Sequence, residues 1–155
     1  DIMLNNVKSF VGAAFILLLS ACATVDMESV EQDTLRKQFA DPSNGKSGLY
    51  IYRNSMFGAA IKKTLTVNGI PAGAPAVDTF LYVETDPGSL LVSTDSEFGN
   101  NDITVDAVAG QNYFVRQFIK MGLLTGGADV EEVSMEKGKK GVMECRLAKS
   151  DYENW

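Results

Sequence analysis

The 155-residue chain contains no histidine, which removes the side chain that most often serves as metal ligand and as general base near neutral pH. Ser-His-Asp and Cys-His nucleophilic catalysis are excluded with it. Only two cysteines occur, Cys22 and Cys145, whereas a structural zinc site takes about four ligands, usually Cys and His. Neither a metal nor a cofactor is expected. Basic residues are in deficit, 14 Lys and Arg against 20 Asp and Glu, for a net charge of −6. Nucleic acid is bound by neutralising its phosphates with cations, so it is not an expected partner. No basic cluster flanks the apolar N-terminal run, and attachment to a membrane would have to be hydrophobic or covalent.

What is present is an ordinary globular composition, 45% hydrophobic and 22% charged, enough for one core and too short for two full domains. The exception is the N-terminus. From Phe10 to Leu19 the chain is uncharged and apolar, with Lys8 before it and small residues after it. A membrane-spanning helix needs roughly 20 apolar residues, a signal h-region only about 7–15, so the run suits an export signal. It ends at Leu19-Ser20-Ala21-Cys22, which resembles the lipobox of bacterial lipoproteins. That resemblance implies cleavage before Cys22, a diacylglycerol on its thiol and acylation of the new amino group. It also implies an outer-membrane address facing the periplasm, because Ala23 rather than Asp follows the cysteine. Met3 offers the native start, with Asp1-Ile2 ahead of it.

Four segments are expected: a signal peptide at 1–21, a lipidated tether with partial helix at 22–47, a β-sandwich at 48–149 and a tail at 150–155. In the tether, Met27, Val30, Thr34 and Leu35 share a thin helical face. From Gly48 the texture turns to short period-two runs rich in β-branched and aromatic residues, giving strands near 48–54, 64–68, 78–84, 89–94, 102–108, 112–119 and 129–134. Asn68-Gly69 and Asp86-Pro87-Gly88 supply tight turns between them. Between Ser134 and Lys149, the residues Met135, Gly138, Val142 and Cys145 fall on one helical face, while Met143, Cys145 and Leu147 alternate as a strand would. Ser134 as N-cap, Glu136 in the first turn and later basic residues favour helix. Both readings place Cys145 on the apolar side.

Several phrases occur in a distinctive order: Tyr50-Ile51-Tyr52-Arg53, Val67-Asn68-Gly69, Pro87-Gly88 before Leu-Leu-Val, the run Ala109 to Phe114, and the ending from Glu131 to Cys145. Together, over about residues 48–148, they resemble the uncharacterised bacterial lipoproteins grouped as domain of unknown function 2846. The resemblance implies a mainly β fold, a small transthyretin-like or carboxypeptidase-regulatory-like sandwich, with no catalytic residues to carry over.

Three constellations are candidates for a site. Arg53 and Arg116, with Tyr52, Tyr113, Tyr50 and Tyr82, could line one face that binds a glycan or an anionic group, or simply form the exposed face of a sandwich. Asp95, Glu97, Asn100, Asn101 and Asp102 crowd one loop, but their spacing does not match an EF-hand, which favours a solvated hairpin. The apolar segments 56–61 and 122–127 could dock a partner or the membrane if they meet, and packing over the open ends of the core is the favoured reading. The expected function is a lipid-anchored, non-enzymatic binding or structural module of the cell envelope, partnered with a protein or glycan there. The alternative is a hydrolase or glycan-modifying enzyme using Glu84, Asp86 or Asp102.

Overall fold

A computed structural model describes residues 24–152. Its elements are α1 (Val30–Arg36), β1 (Ser47–Arg53), β2 (Leu65–Val67), β3 (Ile70–Gly73), β4 (Thr79–Thr85), β5 (Gly88–Asp95), β6 (Asn100–Ala107), β7 (Asn112–Met121), β8 (Gly126–Val133), α2 (Met135–Met143) and β9 (Arg146–Leu147). They form a five-stranded sheet, β8-β7-β1-β4-β9, and a four-stranded sheet, β3-β2-β5-β6. The protein is mainly β and sandwich-like, as expected.

Side-chain alternation builds two cores. Leu49, Ile51, Leu81, Val83 and Val115 face the four-stranded sheet and meet Leu65, Val67, Val92 and Val105. Tyr50, Tyr52, Phe80 and Phe114 point the other way and are covered by Val142, Cys145 and Leu147. A strand buried on both faces needs apolar groups at consecutive positions, and β1 is buried along all seven residues. The molecule therefore has a third layer, α2 with the N-terminal segment, over the face that a bare sandwich would leave to water.

β1 runs parallel to β7, and β4 parallel to β9; the remaining pairs are antiparallel. Asn68 and Gly69 take positive φ, 51° and 78°, the two left-handed positions of a type I′ hairpin. Sequence periodicity missed β3, a four-residue edge strand in which Pro71 breaks the pattern and which an edge tolerates. It also treated the closing segment as one element. The helix ends at Met143, its Ser134 cap accepting from the Lys137 N–H, and the chain then straightens so that Arg146 and Leu147 pair with Thr79 and Phe80.

The N-terminal segment is docked along its described length. Met27 bridges to Ala148, Glu28 N–H donates to the Leu147 carbonyl and Lys149 N–H to that of Asp26. The expected apolar stripe of α1 does not hold it there, since Val30 and Leu35 are exposed. Polar contacts do: Asp33 accepts from Leu147 N–H at 2.7 Å, Arg36 lies 4.0 Å over the Tyr82 ring, and Tyr50 donates to the Arg36 carbonyl. At the other terminus, Ser150 and Asp151 bond the Ala72 carbonyl. Both flanks of the sandwich thus pack on it.

Candidate functional site

Arg53, Tyr52, Arg116 and Tyr113 do not form one exposed face. Neighbours on a strand point to opposite sides: Arg53 and Tyr113 lie on the inter-sheet side, Tyr52 and Arg116 on the side of α2. Tyr52 is buried within the aromatic layer. Tyr113 packs against the inter-sheet core and accepts from Val108 N–H. Arg116 is engaged by Asn54 at 3.1 Å and Glu131 at 3.4 Å. Arg53 is fully buried, its Nη1 donating to the Ile61 and Pro75 carbonyls at 2.6 and 3.2 Å and its Nη2 to that of Gly58 at 2.7 Å. Its guanidinium ties down two connections and is not available to a ligand. Burial lowers its pKa from the usual value.

The loop-borne acids and amides likewise have separate partners. Asp95 accepts from Thr64 N–H, Asp102 from Ser93 hydroxyl, and Asn101 donates to the Ala128 carbonyl. No group of three or more potential metal-ligating acids, cysteines or histidines occurs among the described residues. Glu97 reaches across to the turn after β7 and accepts from the N–H groups of Leu123 at 2.5 Å, Leu124, and Thr125 at 2.9 Å. Desolvation would raise the Glu97 pKa, but the three backbone bonds outweigh it and leave the group below its ordinary value.

The apolar segments singled out in the sequence do meet. Because β1 and β7 are parallel, the connections 54–64 and 122–125 emerge at the same end, along with the 96–99 turn between β5 and β6. Gly58, at φ +69°, lies against Ile119, and a Cβ there would come within 2.7 Å of the Ile119 side chain; a Cβ on Gly126 would come within 2.5 Å of Ile61. A groove of about 340 Å³ is lined by Phe57, Ile61, Ile119, Met121, Leu123 and Leu124. The inner members close the core, but the tips do not. Met121, Leu123 and Leu124 are 82%, 89% and 83% exposed, and Phe98 is 71% exposed. A contiguous exposed patch of this kind marks a contact surface, and it is the best candidate site among the described residues.

Comparison with known proteins identifies the family. The family model described as "Protein of unknown function (DUF2846)" matches residues 43–128. The chain belongs to the DUF2846 family. A relative from Haemophilus influenzae (strain ATCC 51907 / DSM 11121 / KW20 / Rd), described as an uncharacterized protein, is 47% identical over 142 residues, covering 92% of this chain and 83% of its own length. No solved structure matches. The DUF2846 segment takes in every connection of the apolar end and omits α1, α2 and β9.

Elsewhere in this DUF2846 chain, each carboxylate considered for catalysis has a partner. Glu84 accepts from the Tyr82 hydroxyl at 2.9 Å and Ser43 N–H at 3.2 Å. Desolvation works against its ionisation, but these bonds and Arg36 leave its pKa lowered. Asp86 pairs with Lys46 at 2.7 Å. Cys145 is a buried free thiol, its pKa pushed up to about 12 by burial first and by Asp78 and Glu144 second; a thiol so disfavoured as thiolate is a packing group. The lipobox, Leu19, Ser20, Ala21 and Cys22, lies outside the described residues. No helix among the described residues is long and apolar enough to cross a membrane. Sequence reasoning missed Phe98 and Met121 as members of the apolar end; the only signal was a lone aromatic residue inside a polar turn.

Proposed function

We propose that this protein is a lipid-anchored module of the cell envelope. Acyl chains on Cys22 hold it at the outer membrane, facing the periplasm, and its sandwich serves as a non-enzymatic binding or structural unit for a neighbouring envelope protein or glycan. The observation that carries the reading is the order basic residue, apolar run, Leu19-Ser20-Ala21-Cys22. Each buried methylene contributes about 0.8 kcal/mol, so one chain binds a bilayer only marginally and two or three hold it stably. Confinement to a surface raises the effective concentration for any neighbour on that surface, which is how such a module acts without chemistry of its own. The buried Arg53 and Tyr52 support a structural scaffold rather than a ligand-gripping face.

The test is Cys22→Ala in the full chain, followed by fractionation and an alkaline wash. The parent protein is expected in the washed membrane pellet and the variant almost wholly outside it. A variant that stays in the pellet contradicts lipid anchoring.

A further inference from the structure

We infer that the apolar end formed by Phe57, Phe98, Met121, Leu123 and Leu124 is a membrane-contact surface that seats the anchored domain directly on the lipid headgroup region. This deepens the anchoring proposal and rests on it.

Thr24 is held at this same end, its carbonyl accepting from Lys62 Nζ at 2.9 Å. Lys62 adjoins Ile61, which packs against Gly126 at the base of the exposed tip. Cys22 lies two residues before Thr24, and two residues of chain span at most about 7 Å. From Met27 the backbone is already paired with Ala148. The Asp26 carbonyl already accepts from Lys149 N–H, so an acylated Cys22 is at most four residues, about 14 Å of extended chain, from the packed body, and the end carrying Thr24 is the end that faces the bilayer.

The surface there suits a lipid boundary. Its tips are large apolar side chains, from half-exposed Phe57 to almost fully exposed Leu123. In a water-poor region an unpaired backbone N–H is costly, and the Leu123, Leu124 and Thr125 amides of the exposed turn after β7 are satisfied internally by Glu97. The tips of the opposite end are chiefly polar, with Glu84 beside Arg36, Asp86 paired with Lys46, and Asp106 bonded to Ser89. Acyl chains supply the affinity; the apolar end fixes the orientation, with the sheets upright and the polar end projecting into the aqueous compartment.

The test uses the full lipidated protein in phospholipid vesicles carrying brominated acyl chains. A thiol-reactive fluorophore is placed on Leu124→Cys, or as control on Asn44→Cys in the connection ahead of β1, at the far end. Both residues are exposed, native Cys145 is buried, and acylation would block Cys22. We expect bromolipid quenching at position 124 to exceed that at 44 several-fold, with the converse order for aqueous iodide. Equal iodide quenching at both sites overturns the inference while leaving the anchor intact. Protection of 124 from both quenchers also overturns it, since a second copy or a protein partner then covers the patch. A mature chain whose mass shows no acyl group removes the anchoring proposal and this inference together, an outcome distinct from the other two.

Discussion

Replacing Arg53 with Met is expected to lower the unfolding free energy by about 3–5 kcal/mol, although Met fills much of the same volume and removes a buried charge. Three carbonyls, those of Gly58, Ile61 and Pro75, accept from this one guanidinium. A hydrogen bond from a charged donor contributes about 1.5–3 kcal/mol, and an acceptor left buried without a partner costs about 1–3 kcal/mol. Desolvating the cation works against these gains, so the net falls well below their sum. For a chain of this size each kcal/mol moves Tm by about 2–4 °C, giving a drop of roughly 6–20 °C. Arg53→Lys should recover only part of the loss, because an ammonium cannot fork to carbonyls on two separate connections. Thermal denaturation checks the size of the effect, and amide exchange across 54–64 checks its origin. A Met variant as stable as the parent would show that the guanidinium is not what holds these connections.

Gly141→Ala should destabilise by about 2 kcal/mol, against the intrinsic preference of a helix for Ala over Gly by about 1 kcal/mol. Gly141 is buried in α2, and a Cβ there would lie 2.2 Å from the Tyr52 ring. Gly138 stands in the same relation to Phe114, also at 2.2 Å. Neither ring has room to yield, since Phe114 is stacked on Tyr50 with centroids 5.1 Å apart and both Tyr52 and Phe114 are buried. The helix itself would have to move outward, loosening Val142 and Cys145 in the same layer. The double variant Gly138→Ala with Gly141→Ala is expected to lose more than either single one, whereas Lys140→Ala on the exposed side should be near neutral. Stabilisation by the glycine replacements would show that α2 is loosely seated and that the aromatic layer is not closed by it.

These two residues also show how far the sequence was legible. Period-two runs of β-branched and aromatic residues announce strands because each strand needs one buried face, and seven of the nine were visible this way. The error at Tyr52 came from assuming that the outer face of the sheet meets water, and the error at Arg53 from grouping it with Tyr52 although strand neighbours point to opposite faces. Tyr50-Ile51-Tyr52 carries apolar groups on both faces, and that is the mark of a strand covered twice, but which element does the covering is a long-range fact. Gly138 and Gly141 are one turn apart and look unfavourable for a helix until the rings opposite them are known. Likewise Arg53 reads as a surface cation by type, and only the convergence of two connections on the end of β1 makes it a buried clamp. The apolar end was half legible. Segments 56–61 and 122–127 stood out by composition, yet only the parallel pairing of β1 and β7 brings them together.

Anchoring depends on the chemical state of Cys22, which the mass of the first peptide of the mature protein reads directly. A peptide running from Cys22 to Arg36, heavier by a thioether-linked diacylglycerol and an amide-linked acyl chain, is the predicted result. An unmodified peptide that still carries residues from the apolar run ahead of Cys22 would contradict it.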